Sequence, residues 1–407
     1  MSALLRKLKQ LIAPERVPEA AAAEAARDRR DGLAATDPGI AAVVDANLQW
    51  LCTAQDRSAS ADGGVARDYH LGNGWATSYP ETTGYIIPTF IELARRRGSA
   101  ELHQRARRML DWCVAIQFAE GGFQGGKVDA TPRVPVTFNT GQILLGLAAG
   151  AAEYGDAAYL QAMHKAAAWL RDSLDADGCW RRHPTPFAAP GEKAYETHVA
   201  WGLFEAERVA PGLGYGDAGL RQVAWAVSKQ QPNGWFDSNC LSDPTQPLTH
   251  TIGYALRGVV EAHRLTQDPQ WLAAALRTAD AIVPLVPADG RLPGQWNARW
   301  QPTVDWVCLT GSVQIAHCLL MLHQTTGRAD LRAAARRLNA YVRRTVQMDG
   351  PPERRGGVKG AFPVDGDYGR WQYLNWAAKF CIDALLVEAD IDAGAASALN
   401  RERTARA

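Results

Sequence analysis

Apolar residues recur along this chain three and four positions apart in twelve stretches, a spacing that lays one buried stripe along an α-helix. The stretches come in pairs. The first helix of each pair is expected at about 40–55, 102–117, 159–174, 220–231, 271–286 and 331–347. The second is expected at about 82–96, 139–153, 196–209, 251–265, 309–325 and 374–387. A loop rich in Gly, Pro, Asp and aromatic residues joins first to second. Gly98, Gly155, Gly212 and Gly327 follow second helices, where glycine accepts the left-handed conformation that ends a helix. No alternating strand pattern of any length competes with this reading.

The joining loops repeat. Gly63, Gly121, Gly178, Gly234, Gly290 and Gly350 follow one another at steps of roughly 56 to 60 residues. Gln117-Phe118-Ala119-Glu120-Gly121-Gly122-Phe123 and Gln230-Gln231-Pro232-Asn233-Gly234-Trp235-Phe236 share the form Gln-x-x-x-Gly-x-aromatic, and Leu174 to Trp180 repeats it with Leu for Gln. The remaining three copies are weaker, ending in Val65, Leu292 and Pro352. A unit of about 57 residues cannot close a core alone and must stack on its neighbours. Six helical hairpins predict an all-α fold, an (α/α)6 toroid over residues 37–390, with inner helices enclosed by an outer ring. A leader at 1–36, flexible or amphipathic, and a tail at 391–407 complete the expected organisation.

Charge and cysteine content remove several classes. The 407 residues carry 44 basic against 43 acidic side chains, which argues against a phosphate-backbone binder and so against a nucleic-acid partner. Seven cysteines lie far apart with no Cys-x-x-Cys pair, so neither a zinc ribbon nor a dithiol redox site is supported. Cys52 and Cys113, in Trp-Leu-Cys and Asp-Trp-Cys, read as small buried residues in a reducing compartment. No stretch approaches the roughly 18 apolar residues of a membrane span. Residues 1–12 place Arg6, Lys7 and Lys9 among leucines without a continuous apolar region or a small-residue cleavage site. The expectation is a cationic leader on a cytoplasmic protein, with contact to a membrane surface or a partner as the alternative.

The Gln-x-x-x-Gly-x-aromatic units resemble the repeats of the terpenoid cyclase and protein prenyltransferase toroids, and six paired helices also resemble the six-hairpin glycosidases and the toroidal polysaccharide lyases. The resemblance spans roughly residues 37–390 and implies the toroid rather than a reaction. The Asp-x-Asp-Asp and Asp-Asp-x-x-Asp clusters of the terpenoid enzymes are absent from the sequence. Asp305-Trp306-Val307-Cys308 departs by one residue from the Asp-x-Cys pattern of the prenyltransferase zinc ligands, and no metal or cofactor is expected. Gly72-Asn73-Gly74 and Gly121-Gly122 follow no expected strand, so no dinucleotide or phosphate loop is implied.

Aligning the units sets one polar residue near the start of each second helix: Glu81, Asn139, Glu196, His250, Asp305 and Asn375. In a toroid these helix starts surround the mouth of a single cavity. Some must act as caps, notably Asn139 and Asp305, but Glu caps poorly, which makes Glu81 and Glu196 more informative. The segment 67–85 gathers Arg67, Asp68, Tyr69, His70, Trp75, Tyr79, Glu81 and Tyr85 between two helices, more chemistry than a connector needs. His198, Trp201, Tyr254, Trp306, Trp371 and Tyr373 lie on the same expected face, whereas Trp112, Trp169 and Trp225 on the first helices read as core. Flat rings beside carboxylates, amides and hydroxyls suit a sugar, with its apolar C–H faces and many hydroxyls.

The expected function is a carbohydrate-active enzyme acting on an oligosaccharide or polysaccharide. Its simplest form is a glycoside hydrolase with two carboxylates drawn from Glu81, Glu196, Asp305 and Asp68. A polysaccharide lyase or uronic acid C5-epimerase is the alternative, with His250, His70 or a tyrosine moving the proton while Asn139 and Arg67 hold the substrate. A non-catalytic glycan- or protein-binding toroid and a terpenoid-acting one complete the set. The lack of a secretion signal favours work on a cell-surface polysaccharide or its precursor inside the cell.

Overall fold

A computed structural model describes residues 17–394. Thirteen α-helices run through them: α1 (Glu19–Asp31), α2 (Ile40–Asp56), α3 (Pro80–Arg97), α4 (Ala100–Ile116), α5 (Thr137–Tyr154), α6 (Ala157–Ser173), α7 (Thr197–Val209), α8 (Tyr215–Ser228), α9 (Thr249–Thr266), α10 (Pro269–Ile282), α11 (Leu309–Thr326), α12 (Ala329–Arg343) and α13 (Asn375–Asp392). The odd-numbered helices from α3 to α13 pack side by side, α13 meeting α3, and form a closed inner ring. The even-numbered helices surround them. All twelve expected helices are present. The largest displacements are at the start of α8, which begins at Tyr215 rather than 220, and at the end of α13, which runs to Asp392 rather than 387.

Inner helices are buried nearly all round, and small residues let them approach. A Cβ on Gly146 of α5 would lie 2.2 Å from the carbonyl oxygen of Gly84 on α3, and one on Gly202 of α7 would lie 2.5 Å from that of Gly141 on α5. Close packing runs between each inner helix and the outer helix that follows it, across the short connections, more than across the long loops. The long loops therefore belong to one end of the ring, where all six inner helices begin. Short strands stiffen them: β1 (Asp68–His70), β2 (Gly74–Trp75) and β5 (Gln372–Leu374) form a sheet in the order β2-β1-β5, and β3 (Val307–Cys308) pairs with β4 (Ala361–Phe362). Segments of two or three residues carry too little alternation to show in the sequence.

The repeated glycine is architectural. Gly121 has φ +110°, and the Gln117 side chain donates to its carbonyl at 2.9 Å and to Ala162 of α6 at 3.0 Å. Gln230 makes the matching contact to Ala274 of α10 at 2.9 Å. A Cβ on Gly121 would stand 2.4 Å from the Lys165 carbonyl oxygen, so Gly121→Ala is expected to cost at least about 2 kcal/mol. Gly32, with φ +62° and nothing within 4 Å of a Cβ, is the control, and G32A should lower Tm less than G121A. In the last unit the reading needs correction. Gly350 meets only the Gln347 side chain, while a Cβ on Gly356 would stand 2.0 Å from the Ala46 carbonyl oxygen of α2 and so takes the repeat position that closes the ring.

The expected leader is also corrected. Residues 1–16 lie outside the described residues, and with them the expected cationic leader at 1–12, but 19–31 form a docked helix. Glu24 and Asp28 of α1 are buried against Lys359, whose ammonium lies 2.6 Å from Glu24, and the Tyr373 hydroxyl donates to Glu24 at 3.0 Å. An Ala/Glu/Arg-rich composition concealed these two acids among solvated ones. The expected tail from 391 begins inside α13, and 395–407 lie outside the described residues.

Candidate active site

Six inner helices begin around one axis, and the side chains near their first turns meet there. Glu81 enters from the first turn of α3, where its carboxyl accepts from the Asn139 amide of α5 at 3.2 Å and from the Tyr79 hydroxyl. Arg67, just before β1, bonds Asp68 at 2.6 Å and Gln372 at 3.3 Å, and its guanidinium stacks 5.0 Å from the Trp376 ring and 5.7 Å from Tyr79. Trp376 donates to the Tyr368 hydroxyl at 2.8 Å. Glu81, Tyr79, Arg67 and Phe138 all keep accessible surface although they face inward, so space remains above them.

Aromatic rings and two histidines close the axis below. The Tyr254 ring of α9 lies 4.3 Å from both His198 of α7 and His250 of α9, and it meets Phe138 at 5.2 Å and Phe380 at 6.0 Å. Phe380 also meets Tyr85 at 5.3 Å. Polar neighbours fix the histidines: His198 Nδ1 lies 2.6 Å from Gln142 Oε1 and His250 Nδ1 lies 2.7 Å from Gln314 Oε1. Beneath them Arg257 covers the Trp201 ring at 3.9 Å and binds Glu261 at 2.8 Å, and Lys379 binds Asp383 at 2.7 Å.

Burial sets the proton affinities. It pushes the Glu81 carboxyl up to about 7, although the Tyr79 hydrogen bond and the Arg67 charge pull the other way. It pushes His250 down to about 4 against its Gln314 bond, and His198 well below the usual range, helped by Arg257 and Lys379. Near pH 7 the site therefore holds a carboxyl able to give up a proton and two uncharged imidazoles. Among the described residues no group of three or more His, Cys, Asp or Glu is placed to hold a metal ion.

No protein family and no curated relative matches the chain. Solved structures do. A heparin-specific unsaturated glucuronyl hydrolase superimposes with a TM-score of 0.69 at 16% identity, covering 88% of this chain and 99% of its own. A glycosaminoglycan-degrading unsaturated glucuronyl hydrolase from Bacillus sp. GL1 gives 0.67 at 15% identity over 87% and 96%. Cellobiose 2-epimerase from Bacillus thermoamylovorans gives 0.67 at 12% identity over 84% and 96%. The chain is an (α/α)6 toroid. Identities this low establish the shared architecture alone.

The toroid brings together only part of the expected site. Arg67, Tyr79, Glu81, Asn139, His198, His250 and Tyr254 converge, with Tyr85 in the floor. No hydrogen bond joins a second of the expected carboxylates to Glu81 among the described residues. Asp68 is held by Arg67, and Asp305 is exposed, four residues before α11 begins, with its backbone carbonyl bonded by Arg291. Glu196 is buried near Lys193 and Cys179. Burial pushes its carboxyl up to about 8, and its Oε2 has no hydrogen-bond partner. Asn375 ties Ala66 to Thr82 through its amide, at 2.9 Å and 2.7 Å.

Most of the expected aromatic platform packs elsewhere. Trp75 meets Tyr69 edge-on at 5.2 Å and Trp50 of α2 at 5.3 Å, and His70 sits beside Trp371. Tyr373 serves the α1 anchor, Trp306 lies against Gly294 and Gly366, and Trp201 lies one layer below His198. These rings fill gaps between loops because loops this long need a core of their own. Sequence reasoning missed Tyr368, which lies in a loop outside the repeat. It also missed Gln142 and Gln314, although each is a polar residue set within an apolar run, Gln142-Ile143-Leu144-Leu145 and Val313-Gln314-Ile315.

Proposed function

We propose that this chain is a carbohydrate-active enzyme, a glycoside hydrolase that takes the end of an oligosaccharide into the toroid and cleaves it with Glu81 as proton donor. The observation that carries this reading is the Glu81 carboxyl, pushed up to about 7 by burial and held between the Asn139 amide and the Tyr79 hydroxyl on the accessible side of the ring. An aromatic floor suits the apolar face of a sugar, and a closed axis suits a chain end better than a chain middle. The similarity to glucuronyl hydrolases and to an epimerase supports a sugar as substrate. Glu81 would give its proton to the glycosidic oxygen and then, as carboxylate, draw a proton from the water that completes hydrolysis. One carboxyl in two roles replaces the expected pair. The pH–rate profile should fall as pH rises through about 7, where Glu81 loses the proton it must donate.

A second reading, a sugar epimerase, is favoured by one observation: the two uncharged imidazoles on either side of Tyr254. Incubation with oligosaccharide panels in D2O, followed by NMR, separates the two. Hydrolysis gives new reducing ends with no deuterium on carbon, and epimerisation places deuterium on a sugar carbon. Neither product from any neutral or uronic acid oligosaccharide would overturn both. We place the work inside the cell, on a cell-surface polysaccharide or its precursor, and the seven free, buried cysteines support a reducing compartment.

A further inference from the structure

We propose that Gln142 and Gln314 are positioning residues that hold His198 and His250 as uncharged imidazoles protonated on Nδ1, so that two unprotonated Nε2 atoms face the Tyr254 region. The inference deepens the second reading above, in which these histidines exchange protons with a sugar, and it rests on that reading for its catalytic meaning. Consecutive inner helices supply the parts in order: Gln142 on α5, His198 on α7, His250 and Tyr254 on α9, Gln314 on α11. His198 reaches back to the preceding helix and His250 reaches forward to the following one, so the two Nδ1 atoms point away from the α7–α9 pair. In each ring Nε2 lies across from Nδ1, which turns it toward the space between those helices, where the Tyr254 ring stands 4.3 Å from both.

The arrangement repeats in the sequence. Both histidines are the second residue of their helix and both glutamines the sixth of theirs, so equivalent positions of four successive units build a mirrored pair. The choice of amide matters chemically. A carboxylate at either position would favour the imidazolium, whereas a glutamine oxygen accepts the Nδ1 proton without adding charge. The groups facing His198 are Arg257 and Lys379 from below, with Tyr254 and His250 to the side. His250 faces Tyr254 and, at 5.2 Å, Tyr368. No carboxylate stands among these neighbours.

The test is 15N NMR of the full-length protein labelled at histidine, with long-range proton–nitrogen correlations assigned by His198→Asn and His250→Asn. The expected result is the Nδ1–H pattern for both residues from pH 6 to 8. An Nε2–H pattern or an imidazolium signal at either one would overturn the proposal, and this measurement on the native protein needs no glutamine variant to fold. Gln314→Glu provides the second arm: the acid limb of the His250 titration should move up by about one pH unit or more, while Gln314→Leu should release the ring to mixed tautomers. An unchanged titration in Q314E would count against the contact. If the tautomers are as expected but H198N and H250N leave deuterium exchange into substrate unaltered, the epimerase reading fails while the positioning stands.

Discussion

Glu81→Gln is expected to lower kcat by about 10²- to 10⁴-fold, the range for loss of a general acid, with little change in KM. Glutamine is nearly isosteric and can still accept from the Asn139 amide and the Tyr79 hydroxyl, so the loop and the first turn of α3 should keep their places. What it lacks is a transferable proton. The matching variant Glu196→Gln should leave kcat within about threefold of the native value, because no hydrogen bond joins Glu196 to the Glu81 cluster and the cation acting on it is Lys193. Steady-state kinetics on whichever saccharide is turned over, with circular dichroism to confirm folding, decides between them. Full activity in E81Q would end the proton-donor reading, and a large loss in E196Q alone would move the acid to that carboxyl.

The ring was legible because its physics is periodic. Apolar spacing marked all twelve toroid helices, and a glycine forced into positive φ by the neighbouring helix marked the loops between them. Gly356 escaped because the closing contact is made to the first outer helix, so the last unit has a different loop length. The site was legible only where it follows the repeat. Glu81, Asn139 and His250 sit at helix starts in register, and they do converge. Asp305 was placed by the same register, but β3 intervenes before α11 and leaves it on the surface. Tyr368 reaches the site through a loop fold that no local pattern encodes, and the rings of Tyr69, Trp75 and Trp306 show that an aromatic loop is as readily its own core as a sugar platform. Charge pairing across 331 residues of sequence, as between Asp28 of α1 and Lys359, has no local signature at all.

That pairing leads to the largest stability effect expected. Lys359→Met should destabilise the protein by about 3–5 kcal/mol, because it leaves the Glu24 and Asp28 carboxyls buried without the cation they share. In the native protein burial works to raise Glu24, yet Lys359, Arg27 and the Tyr373 hydroxyl together hold it below the usual range. Burial prevails at Asp28, which is raised despite Lys359 and the Val364 amide. The signs are opposite: the Glu24 contribution is present above its unfolded pKa and lost as pH falls through its folded value, whereas that of Asp28 is present in acid and lost as pH rises through its folded value. Removing the ammonium should raise both carboxyls, so the K359M deficit should be greatest near pH 7 and shrink toward pH 4. Denaturant melts of the native protein and K359M at both pH values measure this, and the triple variant E24Q/D28N/K359M should recover much of the loss at pH 7 by neutralising the stranded charges. A K359M protein as stable as the native one at pH 7 would show that α1 does not depend on the Lys359 pairing. Because the same anchor reaches β5 through Tyr373, and Trp376 follows two residues after that strand ends, loosening α1 should also raise KM through the Arg67 stack while leaving the Glu81 proton transfer in place.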